Sequence, residues 1–165
     1  MKKGHATHTF PGICDSSSRI LILGSFPSVA SREVGFFYGH KQNRFWKVLC
    51  ACFKEDVPET IEGKKELCLR HGIALYDSIE SCDIEGSSDA SISNVEPANL
   101  EPFFKIGKIQ TVIFNGKTSE RYFLAFQKKK DGVTYIALPS TSAANAAMSL
   151  DKLIERWGTV IKEVH

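Results

Sequence analysis

The apolar positions of this chain fall into short, bounded blocks. Ile20–Leu23 is a continuous apolar run closed by Gly24. A run that short, with no polar face, predicts a strand buried from both sides. Thr111–Phe114 and Tyr135–Leu138 repeat the pattern, and Ile73–Tyr76 predicts a further short strand. Between these blocks the period changes to that of a helix. Asn43–Phe53 sets Phe45, Trp46, Leu49 and Phe53 on one face, and Leu150–Val164 does the same with Leu153, Ile154, Trp157 and Ile161. Glu62–His71 predicts a helix with Gly72 just past its end, and a further helix is predicted from about Ser119 to Lys129. Residues 80–101 are polar and turn-rich. Gly86–Ser91 has the composition of a long loop, and Pro97–Phe104 reads as a short helix start.

Strands that alternate with helices imply a parallel sheet covered on both faces. The expected fold class is therefore α/β: a three-layer α/β/α sandwich around a central, mostly parallel four-stranded sheet. No repeat and no long linker interrupts the chain, so residues 1–165 read as a single domain. In such a sheet, ligands bind beyond the carboxyl ends of the strands. Two strands there run into loops built from Gly, Pro, Ser and Thr, namely Gly24–Ser28 and Pro139–Asn145. These loops can face each other across one cleft. Their hydroxyls and backbone N–H groups suit phosphate contacts, which points to a nucleic-acid or nucleotide substrate.

Composition narrows this reading. The chain is 165 residues long, enough for a full hydrophobic core. Its net charge of +2 excludes a bulk polycation, so positive charge that meets DNA must be local. The densest basic run, Lys128-Lys129-Lys130, reads as a solvated helix end rather than a phosphate contact. No apolar run is long enough to span a bilayer, and Met1–His8 lacks the apolar stretch of a secretory leader. A cytoplasmic protein with no membrane partner is expected. The five cysteines are scattered without a Cys-x-x-Cys pair, and Cys50 and Cys82 sit in apolar patterns as reduced thiols do. Neither a metal site nor a cofactor is expected.

Five segments occur in one order: Gly24-Ser-Phe-Pro-Ser28, Phe37-Tyr-Gly-His40, Asn43-Arg-Phe-Trp46, Gly86-Ser-Ser-Asp89, and Leu138-Pro-Ser-Thr-Ser142 with Asn145. Together they resemble the uracil-DNA glycosylase superfamily, and most of all its hypoxanthine-DNA (deoxyinosine) glycosylase branch. The resemblance runs from about His8 into the last helix. It implies the same α/β/α fold and a monofunctional DNA glycosylase of base excision repair. Such an enzyme flips a deaminated base, hypoxanthine first, out of DNA and hydrolyses its N-glycosidic bond with water. A monomer acting on DNA that contains a deaminated base is expected. Two departures weigh against strong uracil activity. Phe26 stands where mismatch-specific uracil enzymes carry Asn, and Leu138 stands before Pro139 where other uracil enzymes carry His. Competing readings are a non-catalytic lesion- or single-strand-binding module of the same fold, and a uracil- or xanthine-preferring glycosylase. A nucleotide-binding or nucleoside-hydrolysing enzyme ranks last, since no phosphate-binding glycine motif is present.

In the hypoxanthine branch the resemblance assigns catalysis to the Asn of the Asn-Arg-Phe-Trp segment, here Asn43. A neutral amide can orient the attacking water through its carbonyl oxygen. Asn43 also suits the N-cap of the following helix, and both roles can hold together. Phe26 and either Phe37 or Tyr38 are expected to wall the base pocket, while the backbone of Gly24 and Ser25 reads the base edge. Phe36 is assigned to packing. His40 is read as an acid near purine N7, a DNA contact or a loop histidine. Pro27 and Ser28 of the first loop are expected at the DNA. Asn115 and Lys117 mark a turn and a helix start beside a phosphate. Ser140, Thr141 and Ser142 are expected at phosphates, with a cap for the next helix as the alternative. Ala143 and Ala144 are the segment expected to enter the duplex. Asn145 either supports the site or joins that cap. Asp77 and Asp89 are read as structural hydrogen-bonding groups, and His5, His8, His71 and His165 are given no role.

Overall fold

The computed structural model describes residues 3–165, so Met1 and Lys2 of the N-terminal segment read above lie outside the described residues. In chain order the first elements are β1 (Gly4–Thr7), β2 (Ile20–Gly24), α1 (Val29–Val34), α2 (Phe45–Cys52) and α3 (Ile61–Arg70). There follow β3 (Ile73–Asp77), β4 (Ile79–Ile84), β5 (Ser93–Pro97) and α4 (Glu101–Ile106). The chain ends with β6 (Thr111–Asn115), α5 (Lys117–Phe126), β7 (Thr134–Leu138) and α6 (Leu150–Val164).

The four expected strands form one parallel sheet in the order β3-β2-β6-β7. Ile22 lies opposite both Leu75 of β3 and Ile113 of β6. Side chains alternate across a strand, and here the alternation divides two cores. Ile20, Ile22 and Leu75 face Phe45, Leu49 and Trp157 of α2 and α6. Leu21, Leu23 and Phe114 face Leu100, Phe103 and Phe123 of the α4–α5 layer. Each fully buried aliphatic or aromatic side chain contributes roughly 1.5–3 kcal/mol of transfer free energy, so the two cores hold the sheet between its helices. The α/β/α sandwich and its four-stranded parallel sheet are thus as the sequence predicts.

The segment after β3 is not the loop that its polar composition suggests. β4 pairs with β1 and with β5, giving a second, antiparallel sheet of order β1-β4-β5. Ile79, Cys82 and Ile84 of β4 bury against Phe26 and Ile92. The strand's small and acidic residues hide this pattern, and its partner β1 comes from the other end of the sequence. Only Ser78 separates β3 from β4. Ser78 is buried and donates to the Ser119 carbonyl at 2.9 Å. The chain turns from one sheet into the other at that corner.

Other boundaries also move. α1 is capped by Ser28 and stopped by Gly35, whose φ of 77° no β-carbon opposes. α5 begins at Lys117 and ends at Phe126, so Lys128–Lys130 lies beyond the helix rather than at its end. There Lys129 sits over the Tyr135 ring, and Lys130 pairs with Glu101. The Ser-Thr-Ser of the second loop caps nothing: α6 starts at Leu150, and Ser149 accepts from its Lys152 N–H at 3.2 Å.

Candidate active site

A cavity of about 580 Å³ opens at the carboxyl ends of the parallel strands. The first loop, Gly24–Ser28, and the second loop, Ser140–Ala144, form opposite walls, as their shared position at the strand ends requires. The 37–43 segment closes a third side and Ser87–Ala90 the fourth, with Asp77 and Asn115 on the floor.

Asn43 stands just before α2, fixed by two hydrogen bonds to one atom. Its Oδ1 accepts from the Phe45 N–H at 2.9 Å and from the Thr141 hydroxyl at 2.9 Å. A backbone N–H can only donate, so the amide orientation is set by chemistry. Thr141 is fully buried, and its oxygen accepts from Asn115 Nδ2 at 3.0 Å. Asn115 Oδ1 in turn accepts the Thr141 N–H at 3.0 Å. Every proton in the Asn115–Thr141–Asn43 chain therefore has one direction. Both lone-pair directions of the Asn43 carbonyl are used, which leaves its N–H2 group as the free one. This corrects the expectation that the carbonyl oxygen would hold water. It supports the capping role in part, since Asn43 Oδ1 takes an orphan N–H of the first turn while Arg44 occupies the cap position itself.

Arg44 was given no role by its sequence position, yet it ties α2 to the second loop. Its NH2 donates to the Ser142 and Asn145 carbonyls at 2.9 and 3.2 Å. Its NH1 donates to the Met148 carbonyl, and its backbone N–H donates to the Thr141 carbonyl at 3.0 Å. The planar guanidinium has donors enough to hold several carbonyls at once. Phe45 fills the core, and Trp46 Nε1–H donates to the Phe37 carbonyl at 3.1 Å. The Asn-Arg-Phe-Trp segment thus carries four separate tasks in four residues. On the other side, the Trp157 ring of α6 donates to the Pro139 carbonyl at 2.9 Å.

The first loop is braced as firmly. The Ser28 hydroxyl accepts the Ser31 N–H at 3.1 Å, and the Val29 N–H donates to Ser87 Oγ at 2.9 Å. Arg32 donates to the Gly86 carbonyl and lies 5.4 Å above the Phe26 ring. Phe26 lines the cavity with one face and packs into the β4–β5 cluster with its other side. Phe37 also lines the cavity, edge-on to Phe10 at 4.8 Å. Phe36 stacks on Trp46, the packing role expected of it. Ser25 Oγ donates to Asp89 at 3.1 Å at the cavity mouth. Withdrawal from water lifts the Asp89 carboxyl above the ordinary carboxylate range, against the pull of that hydrogen bond.

The remaining expected residues divide by position. Pro27, His40, Ser140, Ser142, Ala143 and Ala144 line the cavity, and the two alanines sit exposed at the tip of a turn. His40 is exposed, and its Nδ1 accepts the Gln42 N–H at 3.1 Å, which leaves Nε2 toward solvent. Lys117 is exposed at the start of α5 and lies outside the cavity lining. Asn145 donates to the Ser140 carbonyl at 3.0 Å and so braces the second loop from behind. Asn115 is buried with both amide atoms on Thr141, a support for the site.

Sequence reasoning gave His8 no role. His8 Nε2–H donates to Asp77 Oδ2 at 2.7 Å, both side chains being buried. The His8 ring stacks on Tyr76 at 4.3 Å. Tyr38 stacks on Phe45 at 4.0 Å, and burial followed by the Asp77 charge pushes its phenol well above the ordinary value. No group of three or more His, Cys, Asp and Glu side chains able to hold a metal occurs among the described residues. No helix among them is long and apolar enough to cross a membrane.

This geometry has relatives. The family model of the Uracil DNA glycosylase superfamily matches residues 11–160. A protein of Methanosarcina acetivorans named hypoxanthine DNA glycosylase is 30% identical over 155 residues, covering 93% of this chain and 96% of its own. A protein of the same name from Methanosarcina barkeri is 32% identical over 115 residues, or 68% of this chain and 73% of its own. The solution NMR structure of a candidate uracil DNA glycosylase from Methanosarcina acetivorans superimposes with a TM-score of 0.78 at 28% identity. That match covers 94% of this chain and 96% of the other.

Proposed function

We propose that this chain, which belongs to the Uracil DNA glycosylase superfamily and is a DNA glycosylase, excises deaminated bases from DNA, hypoxanthine first. The observation that carries the reading is Asn43, locked by Thr141 on the wall of a cavity roomy enough for a nucleoside, between two hydroxyl-rich loops. The hypoxanthine preference draws on the relatives of that name. It also draws on the absence of an Asn at Phe26 and of a His before Pro139.

The chemistry is hydrolysis. The bond from C1′ to the base nitrogen breaks and its electron pair leaves with the base, a water oxygen bonds to C1′, and the proton that water loses ends on the departed base. Positive charge grows on the sugar as the base departs, so the water needs position more than a strong base. The Asn43 N–H2 group donates to one lone pair of that water and leaves the other for C1′. Phe26 and Phe37 hold the extruded ring by stacking. Ser140 and Ser142 donate to the flanking phosphates, and the Ala143–Ala144 turn meets the space the base has left. Two alanines make a small wedge, which suits bases whose pairing is already weak. One chain supplies every group named, so a monomer suffices, and the cytoplasm is the expected compartment.

The test is base release from matched oligonucleotides carrying deoxyinosine, deoxyuridine or no lesion, in EDTA, followed by alkaline cleavage. Strand breaks at deoxyinosine support the reading. Breaks at deoxyuridine alone move the substrate to uracil. Tight DNA binding with no breaks leaves a binding module.

A further inference from the structure

The floor of the cavity holds two oxygens that the hydrolysis above does not use. The Tyr38 hydroxyl is buried and makes no hydrogen bond of good geometry among the described residues, although the Asn115 side chain lies close enough to pull its phenol down slightly. Asp77 gives Oδ2 to His8, which leaves Oδ1 on the cavity side. Both atoms lie side by side against the first loop: a β-carbon added to Gly24 would lie 2.4 Å from Asp77 Oδ1 and 3.1 Å from the Tyr38 oxygen. A glycine at position 24 leaves room for both side chains.

Both groups are held rigidly. Tyr38 sits in the left-handed backbone region, with φ of 54°, which a non-glycine residue adopts only when its surroundings enforce it. Its stacking on Phe45 supplies that enforcement. Asp77 ends β3 at the corner pinned by Ser78. Burial keeps the Tyr38 phenol protonated, so it is available as a donor. Asp77 Oδ1 faces it as an acceptor.

We infer that Tyr38 and Asp77 read the lactam edge of the extruded base: the Tyr38 hydroxyl donates to its carbonyl oxygen, and Asp77 Oδ1 accepts from the adjacent ring N–H. His8 is the positioning residue that holds Asp77 in that orientation. The inference rests on the glycosylase reading and names its specificity. Hypoxanthine, xanthine and uracil all present a carbonyl beside an N–H. Adenine, the purine from which hypoxanthine arises, presents a bare ring nitrogen there, and that lone pair meets the carboxylate oxygen. An unpaired buried acceptor is costly, which is how a hydrogen-bonding site rejects an analogue. Guanine shares the lactam edge but carries an extra amino group and a third pairing hydrogen bond. Extrusion is cheapest for a weakly paired base.

The experiment is single-turnover excision from duplexes carrying deoxyinosine or deoxynebularine, whose purine lacks both the carbonyl and the N–H. In the wild type, deoxynebularine is expected to react at least about 100-fold more slowly. Tyr38→Phe keeps the stacked ring and removes only the donor. It should slow deoxyinosine by about 30-fold or more while moving deoxynebularine less than about 3-fold. Asp77→Asn should do likewise, because His8 takes the amide oxygen and turns an N–H2 toward the base. His8→Ala should shift the same ratio, and His8→Gln, which can still donate to Asp77, should restore much of it. If Tyr38→Phe and Asp77→Asn slow both substrates equally, with unchanged melting temperature, the inference is overturned while the glycosylase stands. If the folded wild type releases no hypoxanthine at all, the glycosylase reading falls and this one with it.

Discussion

The Thr141 hydroxyl donates to Asn43 Oδ1 at 2.9 Å while accepting from Asn115 Nδ2 at 3.0 Å. One buried side chain thus joins the carboxyl ends of β6 and β7 to the residue that opens α2. Asn43→Ala should reduce deoxyinosine excision by about 100-fold or more, since mispositioning the nucleophile alone costs that much. Lesion binding, read by fluorescence anisotropy, should persist. Thr141→Val nearly keeps the volume and strands Asn115 Nδ2, while Asn115 Oδ1 keeps the Thr141 backbone N–H. It should cost about 1–3 kcal/mol of stability, together with a smaller loss of rate. A Thr141→Val enzyme of full activity would disconnect this hydroxyl from the chemistry.

Arg44 holds four carbonyls between Thr141 and Met148 with its side chain, three of them in the second loop. Arg44→Lys keeps the charge and loses the fork that reaches them. Amide exchange of residues 140–148 should accelerate, and the Kd for DNA should rise by about 10-fold, roughly the 1.4 kcal/mol of one good hydrogen bond. Unchanged exchange in the loop would show that the backbone holds itself.

Gly24→Ala places a methyl 2.4 Å from Asp77 Oδ1. That carboxylate is pinned by His8 and cannot swing away. The variant should lose stability by roughly 1–3 kcal/mol through overpacking, and activity by a larger factor because the shift falls on the base pocket. Thermal melting and single-turnover rates measure the two effects separately.

Lys117 is exposed at the start of α5, outside the cavity lining. If it meets a phosphate, Lys117→Ala should lower the slope of log Kobs against log salt by about one and leave the single-turnover rate unchanged. An unchanged slope would remove Lys117 from the interface.

Glu55 bonds to His71 and to Arg70 on the face away from the cavity, and these bonds, His71 first, hold its carboxyl below its ordinary value of 4.5. A carboxylate with a depressed folded pKa stabilises above its unfolded pKa and loses that stabilisation as pH falls through the folded one. Glu55→Gln should therefore melt below the wild type in neutral buffer, with the gap closing as pH drops under 4.5. A gap constant with pH would mean that the contact is not ionic.

Local pattern determined much of this protein. The buried runs at Ile20–Leu23 and Val112–Phe114 read as central strands, since apolar side chains fill both of their faces. The helix stripes of α2 and α6 followed from their periods, and the loops after β2 and β7 followed as walls of one cleft from the rule that parallel strands end together. That Asn43, Phe26 and Ser140 line one cavity was legible because their segments are short and contiguous. The second sheet was not: Ile79–Ile84 reads as polar until β1, from the start of the chain, lies beside it. The same holds for the contacts that set the site's chemistry. Arg44 reaches its carbonyls across about a hundred residues, Thr141 turns the Asn43 amide from 98 residues away, and His8 meets Asp77 across 69. Sequence periodicity reports which face of an element is buried. It carries no record of which distant hydrogen-bonding group arrives there, and that pairing, decided only in the folded chain, fixes which atoms face the cavity.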